Sequence, residues 1–152
     1  MSGEVERLDR IAAASRLAEF PVMLDAALSA QAHAWAPYSG FHVGAAVLTS
    51  SGGIYPGCNV ESASYGATIC AERSAIVGAV SAGETAIRAV AVVTPTPEPS
   101  TPCGICRQLI AEFGPDVIVF AASSVTDVVY IATLGTLLPL SFGAANLDEA
   151  AR

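Results

Sequence analysis

The 152-residue sequence predicts an α/β layered domain. Segments of helical composition alternate with strand-like ones along the chain. The longest apolar runs, "AVAVV" and "VIVFAA", have strand length rather than helix length. The size suits one domain that can bury its own core without staples.

Residues 4–34 are rich in Ala, Leu and Glu and read as helix, interrupted at Pro21 because the residue before a proline disfavours the α region. The expectation is a short leading helix, a break near Phe20–Pro21, and a second helix over about 22–34. "APYSGF" supplies the turn that ends it. "HVGAAVLTSSGGIYPGCNV" places a Ser-Gly-Gly turn between two apolar stretches, which predicts a hairpin. Residues 70–82 have the small-residue composition of a helix packed on a sheet. "IRAVAVVT" (87–94) is a strand with β-branched residues suited to burial on both faces. A rigid loop, "PTPEPSTP", leads into a helix at "CGICRQLIAEF". Strands follow at "DVIVFAA" and "DVVYIATL", a turn at "LLPLSFG", and a polar tail over the last ten residues. No repeat or internal boundary is evident.

Composition narrows the function. No apolar run approaches the roughly 20 residues that a bilayer requires, and "MSGEVERLDR" is too acidic and polar for a secretory signal. The expected setting is cytoplasmic, with no membrane partner. Seven Lys and Arg against fourteen Asp and Glu cannot build the basic face that nucleic acid demands. A small, weakly charged ligand suits this surface better. The four cysteines, in a chain with no secretory signal, point to metal or catalysis rather than disulfides.

Cys103 and Cys106 form a Cys-x-x-Cys at the start of a predicted helix, and Cys70 begins another. Helix amino-termini support thiolate charge. If the two starts meet, three thiolates surround one tetrahedral ion and leave a position open, as in catalytic zinc. Softness alone would also admit iron, but three thiolates with an open position favour zinc. Glu72 lies two residues from Cys70, badly placed as a fourth ligand but able to carry a proton to and from an activated water. Arg73 would compensate the negative charge of a three-thiolate zinc centre.

Each residue also has a plainer explanation. A lone Cys-x-x-Cys is commonly a structural half-site or a redox pair. A structural zinc site would want a fourth ligand, and the remaining Cys58 reads as a buried core thiol, with His33 and His42 far upstream. Asn59 and Glu61 taken alone could be polar residues at a strand end. Phe41 and Phe142 could be core aromatics, and Arg73 a solvated helix charge. His33 and Trp35 read as packing residues on a helix face.

"CAER" and "PCGIC", with 32 residues between Cys70 and Cys103, together resemble the zinc nucleobase-deaminase signature. "APYSGFHVGAAV", "GCNVESASYG" and "LLPLSFG" resemble further segments of the small tetrameric cytidine deaminases, in that order. The resemblance spans about residues 22–145 and leaves the first 20 outside. It implies a three-layer α/β/α fold around a mixed five-stranded sheet, with residues 1–20 a helical extension and 21–152 the catalytic domain. It also implies hydrolysis of the exocyclic C–N bond of cytidine and 2′-deoxycytidine in pyrimidine salvage, with one Zn2+ per subunit held by Cys70, Cys103 and Cys106. Glu72 would be the proton shuttle. The backbone at Ala71 and Thr101 would meet the pyrimidine carbonyl and the departing amine, and Asn59 and Glu61 the ribose hydroxyls. Phe41 and Tyr65 would line the nucleoside site, and Phe142 would reach a neighbouring site in a homotetramer. Gly40 and His42 depart from the family, where a basic residue and a proline are common. The rival readings are deamination of another cytosine compound, such as blasticidin S, and a non-catalytic zinc scaffold.

Overall fold

In a computed structural model of the protein, residues 3–144 and 146–147 are described. The run Ile87–Thr94 forms a central strand, buried along all but one of its positions. The elements are β1 (Glu6–Asp9), α1 (Arg10–Ala14), α2 (Phe20–Gln31), β2 (Gly44–Thr49), β3 (Ile54–Cys58), a 3-10 turn (Tyr65–Ala67), α3 (Ala71–Ser81), β4 (Ile87–Thr94), α4 (Gly104–Ala111), β5 (Ile118–Ser123), β6 (Val128–Thr133) and α5 (Leu134–Leu137).

The strands form one mixed sheet in the order β1-β6-β5-β4-β2-β3. β4 and β5 are parallel, joined by the α4 crossover, and every other pair is antiparallel. Alternation along the strands divides the core into two. Ala46, Leu48, Ala89, Ala91, Val93 and Phe120 face α1 and α2, whereas Ala45, Val47 and Val90 face α3. The three-layer arrangement is therefore present.

α2 buries Phe20, Met23, Leu24, Ala27 and Ala30, one stripe at helical spacing. Phe20 stacks on Phe120 of β5 at 4.5 Å between ring centroids, and each such burial contributes about 1.5–3 kcal/mol. Two glycines permit the closest helix–sheet approaches. A Cβ on Gly44 would lie 1.9 Å from the Ala27 carbonyl oxygen of α2. One on Gly57 would lie 2.3 Å from the Ala75 nitrogen of α3.

The structure corrects several expectations. The sheet has six strands, not five, because Glu6–Asp9 is a strand where a leading helix was expected. It pairs with the otherwise free edge of β6, Arg7 opposite Tyr130, and Leu8 packs on the core. Pairing with a sheet edge overrode helical composition. The helix of this extension is only Arg10–Ala14, capped by the Asp9 carboxylate, which accepts from Ala12 N at 2.7 Å. α2 begins at Phe20 with Pro21 in its first turn, where no N–H is missed, and it ends at Gln31 rather than near 34. His33 and Trp35 therefore lie beyond the helix, and Trp35 is 62% exposed instead of packed. Cys58 ends the edge strand β3 half-buried, donating to the His33 carbonyl at 3.7 Å, and is not a core thiol. Most of the polar tail lies outside the described residues.

Candidate functional site

Cys70 is the N-cap of α3 and Cys103 the N-cap of α4; Glu72 and Cys106 lie in the first turns that follow. The sheet holds these two helix starts together. Cys70 Sγ lies 3.7 Å from Cys103 Sγ, which lies 3.5 Å from Cys106 Sγ. A tetrahedral ion with Zn–S bonds near 2.3 Å requires sulfur–sulfur edges of about 3.8 Å. All three sulfurs lie within 4.8 Å of one another, the group among the described residues able to hold a metal ion.

The electrostatics agree. Hydrogen bonding from Cys106 is the main influence drawing the Cys70 thiol down to about 5; Cys103 and Arg73 add to it. The Cys106 thiol is pushed up, first by its hydrogen bond to Cys70 and then by burial. Three thiols this close cannot ionise together unless a cation neutralises them. The donor set therefore fits zinc. Arg73 sits beside Cys70, donates to the Thr68 carbonyl at 2.6 Å, and keeps a buried Nε with no partner among the described residues.

Next to the thiols is a pocket lined by Phe41, Val43, Asn59, Thr68, Cys70, Ala71, Glu72, Val92, Thr94, Ser100, Thr101 and Cys103. Glu72 is only 4% exposed, and desolvation raises its carboxyl pKa, with the Cys70 charge adding to the rise. The hydrogen bond from its own backbone N–H opposes that rise most, then Cys106 and the Arg73 charge, but only in part. The result is a carboxyl inside the pocket, shielded from bulk water and beside the thiol cluster.

Asn59 lines the same pocket and also ties it together. Its Oδ1 accepts from Val43 N at 2.8 Å, and its Nδ2 donates to the Phe41 carbonyl at 2.9 Å. One Nδ2 proton is left for other use. Glu61 lines an adjoining hollow with Tyr38, Ser39, Ser62 and Tyr65, which shares Thr68 with the thiol pocket. Its carboxylate accepts from the Ser39 hydroxyl first of all, then from Tyr38 N at 2.9 Å and Ser39 N at 3.2 Å, which hold its pKa low. Tyr65 is in that hollow, edge-on to Tyr38 at 6.1 Å. Phe142 lies outside both, 59% exposed, its carbonyl accepting from Gln108 at 2.9 Å. Thus Phe41, Asn59, Ala71 and Thr101 meet at the thiols, Glu61 and Tyr65 adjoin them, and Phe142 stands apart.

Arg107 was missed from the sequence. It donates to the Pro102 carbonyl at 2.7 Å, the Thr101 hydroxyl at 2.8 Å and the Leu137 carbonyl at 2.9 Å, clasping the segment that enters the pocket. The available signal was a cation directly after Cys106, which the charge-compensation argument applied to Arg73, three residues after Cys70, would have covered equally. Thr68, Thr94 and Ser100 were also missed; Thr68 and Ser100 stand two and three residues before Cys70 and Cys103, but a small hydroxyl residue by itself signals no particular chemistry.

Residues 21–122 match the cytidine and deoxycytidylate deaminase zinc-binding region. The chain is 42% identical over 129 residues to a cytidine deaminase of Halalkalibacterium halodurans, a match covering 84% of this chain and 97% of that protein. The crystal structure of a cytidine deaminase from Burkholderia pseudomallei superposes with a TM-score of 0.76 at 44% identity, covering 80% of this chain and 98% of the other. That of a Mycobacterium tuberculosis cytidine deaminase gives 0.71 at 37%, covering 82% and 98%.

Proposed function

The chain belongs to the cytidine and deoxycytidylate deaminase family, and we propose that it is a zinc-dependent cytidine deaminase, converting cytidine and water to uridine and ammonia. The observation that carries this reading is Glu72, buried in the pocket beside three thiols at zinc-binding separations. Cys70, Cys103 and Cys106 would hold the ion, which supplies Lewis-acid activation of water at neutral pH. Glu72 takes a proton from the attacking water and delivers it to ring N3. As the water oxygen bonds to C4, Glu72 takes the second proton, from the new C4 hydroxyl, and passes it to the C4 amine, which leaves as ammonia while the C4 carbonyl forms. Burial suits Glu72 to both tasks, because a carboxyl with a raised pKa can return the proton it accepts. Arg73, beside Cys70, offsets the negative charge of the thiolates.

Phe41 and Asn59 face the nucleoside, with backbone groups at Ala71 and Thr101 toward the base. The free Nδ2 proton of Asn59 and the preorganised Glu61 carboxylate suit sugar hydroxyls, and Tyr65 flanks them. The same chemistry accepts 2′-deoxycytidine and belongs to pyrimidine salvage. Residues 21–152 are the catalytic unit, and 1–20 an appended segment. Phe142 is exposed and absent from its own pocket, which supports a role in a neighbouring subunit of a homotetramer. Among the described residues no helix is long and apolar enough to cross a membrane, and all four cysteines are free thiols, which supports a cytoplasmic setting.

The test is ammonia release from cytidine by wild type and Glu72→Ala, with zinc measured in both. Loss of turnover by about 100- to 10,000-fold with zinc retained is expected. Zinc-loaded wild type that leaves cytidine and deoxycytidine untouched would sink the substrate assignment.

A further inference from the structure

The extension of residues 1–20 lies outside the matched region 21–122, yet it reaches the pocket's frame. Ser100, Thr101 and Cys103, which line the pocket, end a segment that leaves β4 at Thr94 and carries prolines at 95, 97, 99 and 102. Each proline fixes its own φ and biases the preceding residue toward extended conformations. The segment is therefore stiff, and holding its middle constrains its ends.

That middle is held from the sheet edge. Arg7 donates to both oxygens of Glu98, from Nη2 at 2.7 Å and from Nε at 3.3 Å, and the Tyr130 hydroxyl donates to the same carboxylate. Arg7 and Tyr130 stand opposite one another in the β1–β6 register, so one cross-strand pair grips one carboxylate. Adjacent carbonyls are held as well: Thr96 O by the Ser123 hydroxyl at 2.6 Å and Pro97 O by the Thr126 hydroxyl at 2.8 Å. At the far end Arg107 grips Thr101 and Pro102. Arg7 and Glu98 are more than half exposed, 57% and 56%, and such pairs add little to global stability. Their effect has to be local.

We propose that Arg7 and Tyr130 are positioning residues for the deamination: by gripping Glu98 they set, through the proline-stiffened segment, where Thr101 and Cys103 stand in the pocket. The claim rests on the deaminase reading for its kinetic consequence, though not for its mechanical one.

The test uses the full-length, zinc-loaded protein as wild type, Glu98→Gln, Arg7→Ala, and the charge-exchanged double variant Arg7→Glu with Glu98→Arg. Kinetics on cytidine and amide hydrogen exchange are measured on each. In the single variants kcat/KM should fall about tenfold, mostly through kcat, as when an outer partner of a ligand is lost. Exchange should quicken at residues 100–106 alone, the unfolding midpoint should move by no more than about 4 °C, and the double variant should recover both readouts. Unchanged exchange at 100–106, or activity lost only in step with uniformly faster exchange over the whole chain, overturns the proposal. If wild type releases no ammonia, the deaminase reading alone fails. The exchange comparison then still decides the positioning claim, faster exchange confined to 100–106 supporting it and unchanged exchange refuting it.

Discussion

Replacing Gly57 by alanine puts one methyl group between β3 and the helix that carries Glu72. Its Cβ would stand 2.3 Å from the Ala75 nitrogen, 2.7 Å from the Ala71 carbonyl oxygen and 2.9 Å from Ala75 Cα. All three are helix backbone atoms, so no rotamer change relieves the contact. Ordinary contact near 3.5 Å requires β3 and α3 to part by about 1.2 Å at Ala75 N. Overpacking of this kind costs about 1–3 kcal/mol. Against a typical total of about 5–15 kcal/mol, the variant stays folded. The kinetic effect is larger, because the displaced turn begins at Ala71 and contains Glu72. A misplacement of about 1 Å at reacting groups can reduce kcat/KM roughly 100-fold. Urea unfolding, zinc content and kcat/KM on cytidine measure the two effects separately. Gly78→Ala is the control: it lies in the same helix, its Cβ would meet nothing within 4 Å, and it should be neutral or gain up to about 1 kcal/mol. Gly57→Ala with kcat/KM within about threefold of wild type would show that α3 has slack at this contact, and the reasoning from close approach would be wrong.

Two further outcomes follow from the same geometry. Stripping zinc with a chelator should abolish turnover and lower stability by at least about 4 kcal/mol, compared with free zinc a thousandfold above its Kd; coincident unfolding of the zinc-free and zinc-loaded forms would contradict a bound ion at Cys70, Cys103 and Cys106. Hydrogen bonds from Arg7 and then from Tyr130 lower the Glu98 pKa below its ordinary value of 4.5. Its contribution to stability is therefore fully present above pH 4.5 and is lost as pH falls through the depressed value. The difference in urea midpoint between wild type and Glu98→Gln should thus be larger at neutral pH than at about pH 3, and a difference that grows on acidification would refute the linkage.

The parts of this protein legible from sequence were those set by short-range chemistry. Ile87–Thr94 is β-branched enough to be a buried strand whatever surrounds it, and it is one. Cys103 and Cys106 lie within a single helical turn, so their proximity follows from spacing alone. Cys70 and Glu72 were legible as a pair because a carboxylate is costly in an apolar helix unless it has chemistry to perform.

Tertiary structure decided whatever depended on pairing across distance. Glu6–Asp9 is a strand because β6 offers a free edge, and no local property of those four residues states that. The meeting of Cys70 with Cys103 needs both helix starts to open at the same place on the sheet, which topology supplies. Glu61 sits in a side hollow because the turn at Tyr38 and Ser39 holds its carboxylate there with three hydrogen bonds. Arg7 and Arg107 hold the middle and the far end of one proline-rich segment from elements far apart in the chain. Sequence names the groups that perform the chemistry; the free energy of long-range pairing determines where they stand.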